Sequence, residues 1–142
     1  MQAKNFMTEN IMCADSNLSV SDVAKIMQVN HIGSVPVCDQ DKRTIGIITD
    51  RDIVLRTIAC DKDPNITPVM EVMTRDVLSV TPDTSIYRLA NMMAENQVRR
   101  ILVIDNEKLV GCVSIADLAR EEDVVNELYR AVAEISEPTN NV

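Results

Sequence analysis

Aromatic side chains are scarce in this 142-residue chain, which has no tryptophan and only Phe6, Tyr87 and Tyr129 as aromatic residues. Proteins that bind single-stranded nucleic acid stack bases on several aromatic rings, so a base-stacking surface is excluded. Positive charge is also in the minority, because 14 Lys and Arg residues face 22 Asp and Glu residues and the net charge is −8. Nucleic-acid binding needs a basic surface that displaces counterions from phosphates. Both shortages argue against a nucleic-acid-binding protein.

Histidine and glycine are almost absent, and this limits the catalytic chemistry open to the chain. His31 is the single histidine, so a Ser-His-Asp triad would depend on it alone, and a zinc site built from Cys and His lacks ligands. The three glycines do not form a Gly-rich phosphate loop. We therefore expect no enzymatic activity, no metal and no resident cofactor.

Long apolar runs are missing as well. No segment approaches the roughly 18 apolar residues of a membrane-spanning helix, and residues 1–5 lead into polar sequence rather than the apolar core of a signal peptide. We therefore expect a cytoplasmic protein that contacts no membrane. In that compartment buried thiols are favoured over disulfides for the four cysteines, which are Cys13, Cys38, Cys60 and Cys112.

An internal repeat is the strongest positive feature of the sequence. Residues 7–38 align with residues 73–104 at a constant offset of 66, and residues 46–52 align with residues 111–117 at an offset of 65. A register this long indicates two halves with the same fold. The duplication is compatible with a fold that needs both halves to close its core, and also with two matching ligand sites.

Each repeat is predicted to fold as β-α-β-β-α. Ser19 and Ser85 each precede apolar residues at helical spacing, as helix N-caps do. Branched residues in the segments 34–38 and 100–104 indicate strands, and a polar turn separates each from a second strand and a second helix. Pro36 has no N–H group to donate, so its strand is expected at a sheet edge or at a bulge.

The predicted fold class is α+β: two tandem β-α-β-β-α repeats related by pseudo-twofold symmetry, followed by a C-terminal helix. The predicted boundaries are 7–60 for the first repeat, 61–72 for the linker, 73–119 for the second repeat and 120–136 for the C-terminal helix. Apolar residues near the C-terminus recur at steps of 7, 3, 4 and 3, which suits packing on the same module or pairing with another subunit: Leu118, Val125, Leu128, Val132 and Ile135.

A Gly-x-x-Thr/Ser-x-x-Asp motif stands at the start of the second helix of each repeat. Its two copies are Gly46, Thr49 and Asp52, and Gly111, Ser114 and Asp117. A hydroxyl followed by an acid three residues later is a capping box in its own right. In a ligand site, the helix start would offer N–H groups to phosphate, the carboxylate would accept both hydroxyls of a ribose, and the glycine would let the ligand approach the backbone. The pattern alone leaves both interpretations open.

The repeat carries the features of a known family. Met-Thr pairs at 7–8 and 73–74, the strand Ser34-Val35-Pro36-Val37 and both motif copies resemble tandem CBS domains, paired as a Bateman module, from residue 7 to about residue 118. The resemblance implies a regulatory module that binds adenosine-containing ligands, such as AMP, ADP, ATP or S-adenosylmethionine, in clefts between the repeats. The alternative is a ligand-free dimerisation or scaffold module that acts on a separate effector protein.

The resemblance also implies the residues of each cleft, because each cleft takes its acid from one repeat and its adenine contacts from the other. The first cleft is predicted from Thr49, Arg51, Asp52, Val77, Ser79, Arg99 and Arg100. The second cleft is predicted from Ile11, Cys13, Gly33, Ser34, Ser114 and Asp117. Guanidinium groups suit phosphate, so the first cleft is expected to hold the phosphate. The alternative is that the two arginines are a solvated charge pair on an acidic protein. Asp52 is expected to bind ribose, and Asp117 only if the second cleft is occupied.

A homodimer of modules is also expected. The first helix of each repeat carries an apolar face that looks wider than one small lobe needs: Val23, Ile26 and Met27, and Leu89, Met92 and Met93. An apolar surface left over in this way favours association with a second copy.

Overall fold

The computed structural model describes residues 1–136, which form two compact units. The first-repeat unit consists of Met12–Val77. The second-repeat unit combines Met1–Ile11 with residues 78–136. Residues 7–11 open the first repeat of the sequence but belong to the second-repeat unit, so the compact units and the sequence repeats are offset.

The first-repeat unit contains one three-stranded sheet and two helices. Its elements are β1 (Ala14–Asp15), α1 (Val20–Asn30), β2 (Ser34–Cys38), β3 (Thr44–Thr49) and α2 (Asp50–Ile53), which continues as a π-helical turn over Val54–Ile58, and a 3₁₀ turn at Val69–Glu71. The strand order is β1-β2-β3, with β1 parallel and β3 antiparallel to β2.

The second-repeat unit repeats this layout and adds a helix. Its elements are a 3₁₀ turn at Ala3–Asn5, β4 (Ser79–Val80), α3 (Ile86–Asn96), β5 (Arg100–Asp105), β6 (Lys108–Ser114), α4 (Ile115–Leu118), a 3₁₀ turn at Glu122–Val124 and α5 (Val125–Ser136). The strand order is β4-β5-β6, with β4 parallel and β6 antiparallel to β5, as in the first-repeat unit. The predicted α+β class and the β-α-β-β-α order are confirmed. None of the helices within residues 1–136 is long and apolar enough to cross a membrane.

The predicted helix caps are confirmed. Ser19 Oγ accepts a hydrogen bond from the backbone N–H of Asp22 at 3.1 Å, and Ser85 Oγ accepts one from Arg88 at 3.2 Å. Each helix start thereby satisfies one of its free N–H groups.

Most of the apolar face of α1 and of α3 is used inside its own unit. Val23, Met27, Leu89 and Met93 are buried. Ile26 and Met92 are partly buried against the same cores. The two partly buried residues keep some apolar surface, so whether these faces meet a second copy stays a prediction.

Pro36 lies in a central strand, so the expectation of a sheet edge is wrong. It is tolerated because β1 is only two residues long and pairs with Val37 and Cys38, beyond the proline. The β2–β3 register shifts between Val37 and Cys38, next to the proline, as the bulge alternative predicted.

The expectation of four buried thiols is also wrong. Cys13 and Cys38 form a disulfide, with their Cα atoms 6.0 Å apart. The parallel pairing of β1 with the end of β2 brings the two residues into disulfide range, which their separation in the sequence conceals. Cys60 is free and exposed, and Cys112 is free and half-buried.

The C-terminal apolar stripe is divided between two elements. Leu118 belongs to α4 and is buried, whereas the other stripe residues lie on α5. On α5, Leu128 is buried against the second-repeat unit, but Val125 and Val132 are exposed. Packing on the second-repeat unit therefore buries only part of the stripe.

Candidate ligand-binding site

The motif of the first repeat is a complete capping box. The backbone N–H of Asp52 donates to Thr49 Oγ1 at 3.0 Å, and the backbone N–H of Thr49 donates to Asp52 Oδ2 at 3.1 Å. Thr49 ends β3 and Asp52 lies in the first turn of α2, so the box fixes the strand-to-helix junction.

The second motif forms the same box with one additional hydrogen bond. The backbone N–H of Asp117 donates to Ser114 Oγ at 3.2 Å. Both the backbone N–H and the hydroxyl of Ser114 donate to Asp117 Oδ2, at 2.8 and 2.9 Å. The capping interpretation is thus confirmed for both copies, and it leaves room for a second role only where a carboxylate oxygen is free.

Both carboxylate oxygens of Asp52 have polar partners. Thr74 Oγ1 donates to its carboxylate, at 3.3 Å from Oδ2 and 3.4 Å from Oδ1, and Arg56 Nε lies 3.8 Å from Oδ1. Arg56 also donates through Nη1 to the backbone oxygen of Met73 at 3.0 Å. Asp52 is only 8% exposed. It therefore joins α2 to the segment that follows the 3₁₀ turn at Val69–Glu71.

Asp117 differs from Asp52 in this respect. Within residues 1–136, no hydrogen bond reaches its Oδ1, and its side chain is only half-buried. The position equivalent to Arg56 in the repeat alignment is Glu121, which supplies no cation. Asp117 thus keeps one carboxylate oxygen for a hydroxyl donor.

Sequence reasoning missed Arg56 and Thr74 as partners of Asp52. The spacing of Asp52 and Arg56 is the i, i+4 spacing of helical ion pairs, so this contact carried a signal in the sequence. Thr74 was visible only as part of the repeated Met-Thr pair.

The motif glycines make room for the protein's own chain rather than for a ligand. Thr74 exchanges two backbone hydrogen bonds with Ile47, and Thr8 exchanges two with Cys112. A Cβ atom on Gly46 would lie 2.5 Å from Met73 Sδ and 2.8 Å from the Thr74 oxygen. At Gly111 the corresponding neighbours are Met7 and Thr8. The repeated Met-Thr pairs therefore pack on the motif glycines.

The first residues of β2 and β5, and the residues just before them, lie beside the motif of their own unit. Ser34 pairs with Thr49, and the Gly33 oxygen accepts from the backbone N–H of Asp50 at 2.9 Å. Arg100 pairs with Ser114 in the same way, and the Arg99 oxygen accepts from Ile115 at 2.8 Å.

Each predicted cleft draws on both units, so its composition stays a prediction. In the first set, Thr49, Arg51, Asp52 and Val77 belong to the first-repeat unit, whereas Ser79, Arg99 and Arg100 belong to the second-repeat unit. In the second set, Cys13, Gly33 and Ser34 belong to the first-repeat unit, whereas Ile11, Ser114 and Asp117 belong to the second-repeat unit. Of these residues, Cys13 is held in the disulfide.

The second-repeat unit has a pocket of about 530 Å³ next to its motif, and this pocket is open to solvent. The lining residues come from the end of α3, the residue before β5, the start of α4 and the last turns of α5: Gln97, Arg99, Ile115, Val132, Ile135 and Ser136. The volume lies in the range of small-molecule sites. Of the lining residues, sequence reasoning selected Arg99 for ligand binding and did not place α5 beside it.

The surroundings of Cys112 show the electrostatics close to the second motif. Burial raises the pKa of the Cys112 thiol. The Arg100 guanidinium opposes that rise in pKa, and the Asp117 carboxylate adds to it. The Arg100 guanidinium and the half-free carboxylate of Asp117 therefore both act on the thiol near the end of β6.

Comparisons with known proteins agree with the repeat architecture. The sequence profile of the CBS domain matches residues 3–57 and again residues 69–123. The chain is 34% identical to Hypoxic response protein 1 of Mycobacterium tuberculosis over 132 residues, which cover 92% of each protein.

Two solved structures show a similar fold. One is the conserved CBS domain protein TA0289 of Thermoplasma acidophilum, with a TM-score of 0.81, 27% identity and coverage of 94% of this chain and 75% of that one. The other is the CBS domain pair of the protein MJ0100 in complex with 5′-methylthioadenosine and S-adenosyl-L-methionine, with a TM-score of 0.73, 28% identity and coverage of 84% and 94%. Two matched repeats, each with its capping-box motif and its Met-Thr pair, place this chain in the CBS domain family as a tandem pair.

Proposed function

We propose that the chain is a regulatory module that senses an adenosine-containing small molecule, of the AMP, ADP or ATP type or S-adenosylmethionine, and that it catalyses no reaction. The observation that carries this proposal is the half-free carboxylate of Asp117 at the junction of β6 and α4, with Arg99 and Arg100 at the adjacent strand start. A carboxylate accepts hydrogen bonds from a ribose diol, and a guanidinium pairs with phosphate or carboxylate. The related MJ0100 pair, which was solved with two adenosine compounds, supports the same ligand class.

The two motifs are proposed to have different roles. Both oxygens of Asp52 are engaged by Thr49, Thr74 and Arg56, so a ribose would have to displace hydrogen bonds that hold the first-repeat unit together. Asp117 offers Oδ1 without that loss. The ribose acceptor is therefore Asp117, and Asp52 is structural, which reverses the order that the arginine positions favoured in the sequence.

Ligand titration tests this function directly. Adenosine, AMP, ATP and S-adenosylmethionine are titrated into the protein by calorimetry, with GMP as the control for the base. A ligand that binds only the folded state also raises the melting temperature, by an amount that grows with its concentration above Kd. Binding of at least one adenosine compound, and weaker binding of GMP, is expected. If none of these compounds binds, the result would favour the ligand-free scaffold module instead.

The proposal extends to a homodimer that acts on a separate effector protein. Val54, Leu55 and Ile58 on the π-helical turn after α2 are all large apolar side chains with about half of their surface exposed. A cluster of this kind on one helical turn is typical of a surface that another chain covers. This surface is more exposed than the apolar faces of α1 and α3 and is therefore the proposed contact.

A further inference from the structure

We propose that the Cys13–Cys38 disulfide is a thiol–disulfide switch, which holds the start of β1 against β2 when it is oxidised and releases that start when a dithiol reduces it. The proposal concerns the first-repeat unit alone, and it holds whether or not the module binds an adenosine compound. It gives the chain a second function, which is to respond to the thiol–disulfide balance of its surroundings.

The disulfide lies where the backbone pairing of β1 is interrupted. Both backbone groups of Ile47 bond on the side away from β2, so the backbone of its partner Pro36 faces β1. Proline has no N–H group to donate there. The backbone pairing of β1 therefore begins at Ala14, opposite Val37. The residue before it, Cys13, is tied to β2 through its sulfur instead.

The second-repeat unit forms the same strand pair without a covalent tie. In the repeat alignment Cys13 corresponds to Ser79, and Pro36 corresponds to Leu102. Ser79 pairs with Leu102 in the parallel ladder, because leucine has the N–H group that proline lacks. The disulfide therefore takes the place of a backbone pair that one repeat forms and the other does not.

The contacts that follow the disulfide keep its release local. Ala14 packs in the core of the first-repeat unit and is only 1% exposed. The backbone N–H of Ser16 donates to the Cys38 oxygen at 3.1 Å, and the Ser16 oxygen accepts from the backbone N–H of Met70 at 3.3 Å. Reduction leaves these hydrogen bonds in place, so it frees the chain around Cys13 rather than unfolding the unit.

The accessibility of the two cysteines indicates how a dithiol opens the bond. Cys13 is half-buried, whereas Cys38 is only 5% exposed, so an incoming thiolate is expected to attack Cys13 Sγ. The attack forms a mixed disulfide at Cys13 and expels Cys38 as a thiolate, which takes up a proton. The second thiol of the reductant then displaces Cys13, so the protein gains two electrons and two protons and the reductant leaves as its own disulfide. Oxidised glutathione reverses the exchange.

Amide hydrogen exchange, followed by NMR, tests the release of β1. The native protein is compared in its oxidised form and after reduction by dithiothreitol. Val80 is the control in the same molecule, because it corresponds to Ala14 and its strand carries no disulfide. We expect the amide of Ala14 to exchange at least about tenfold faster after reduction, and that of Val80 to change by less than about twofold. Equal exchange of Ala14 in both forms would overturn the proposal.

Pro36→Leu tests the reason for the release. The variant gives β2 the N–H group that Leu102 has at the equivalent position, so β1 is expected to keep its start without the disulfide. In the reduced variant, Ala14 is expected to exchange within about threefold of its rate in the oxidised wild type. Thermal melting checks that the variant is folded. If Ala14 exchanges as fast in the reduced, folded variant as in the reduced wild type, the role given to Pro36 is wrong.

A switch must also open and close in the folded protein. The protein is equilibrated without denaturant in dithiothreitol or in oxidised glutathione, quenched with acid, and its thiols are then counted by alkylation. We expect four thiols after reduction and two, those of Cys60 and Cys112, after reoxidation. Cys60→Ser should show the same opening with one thiol fewer. A pair that opens only in denaturant would overturn the proposal. Neither measurement uses a ligand, so a failure of the proposed function leaves both results unaffected.

Discussion

Asp52 and Asp117 occupy equivalent places in the sequence and differ in what surrounds them. Asp52 is buried and both of its carboxylate oxygens have polar partners, whereas Oδ1 of Asp117 accepts no hydrogen bond within residues 1–136. Asp117→Asn keeps the cap, because Asn also caps helices well, but removes the charge. We expect it to weaken an adenine ribonucleotide by about tenfold, since a charge-assisted hydrogen bond contributes roughly 1.5–3 kcal/mol, and to weaken the 2′-deoxynucleotide less.

Asp52→Asn serves as the matched substitution in the other repeat. It leaves an amide against Arg56 and Thr74 in a buried position, so we expect a loss of about 1.5–3 kcal/mol in the free energy of unfolding and unchanged ligand affinity. Urea denaturation and calorimetric titration separate the two effects. A loss of ribonucleotide affinity in Asp52→Asn but not in Asp117→Asn would reverse the assignment.

Gly46 is predicted to be required for packing. In Gly46→Ala the new Cβ would meet Met73 Sδ at 2.5 Å and the Thr74 oxygen at 2.8 Å, and the latter is backbone that pairs with Ile47. Overpacking of this kind costs about 1–3 kcal/mol of unfolding free energy. Gly33→Ala is the control, because its nearest neighbour is the exposed carboxylate of Asp50 at 3.0 Å, which can turn away. Equal stability of the two variants in urea denaturation would contradict the prediction, because it would mean that the Met-Thr segment moves aside to make room for the new Cβ atom.

At the level of elements, the short strand β1 depends on its covalent tie to β2. The strand has two residues, and the disulfide joins Cys13 just before it to Cys38, which is 25 residues away in sequence. Closing a loop of that size stabilises a protein by about 3 kcal/mol in the chain-entropy account. We expect Cys13→Ser to lower the melting temperature under non-reducing conditions.

Cys60→Ser is the control for the disulfide, because Cys60 is free and exposed. Its melting temperature is expected to equal that of the wild type, and reductant is expected to lower both. Thiol titration of the denatured, unreduced protein should find two free thiols, those of Cys60 and Cys112. Four free thiols would show that the cysteine pair stays reduced in solution.

At the scale of the whole molecule, the prediction concerns association. Sedimentation equilibrium at micromolar concentration is expected to give about twice the chain mass of 15.8 kDa. Leu55→Asp places a charge in the proposed contact and is expected to give the monomer mass. The control is Val29→Asp on α1, because Val29 is 75% exposed and lies outside that contact, so it should remain dimeric. A wild-type monomer would exclude the dimer, and a dimeric Leu55→Asp would exclude this surface.

The sequence by itself determined the repeated architecture, because its signals lie between neighbouring residues. Ser19 and Ser85 cap the residues that directly follow them, and both Gly-x-x-Thr/Ser-x-x-Asp motifs close their boxes within four residues. Because the two halves align at a constant offset, the helices and strands predicted in one half could be assigned to the other half as well. Local patterns of this kind fix helices, strands and caps without knowledge of the rest of the chain.

Only the tertiary structure decided what each site residue contacts. Asp52 is engaged by Thr74, which is 22 residues away, and Arg99 lines a cavity with Val132 of α5. Cys13 meets Cys38 because two strands pair in parallel, and Gly46 excludes a side chain because Met73 packs on it. The difference between Asp52 and Asp117 therefore depends on contacts between segments that are far apart in the sequence. The hydrophobic pattern of a single sequence does not show which distant segments come into contact.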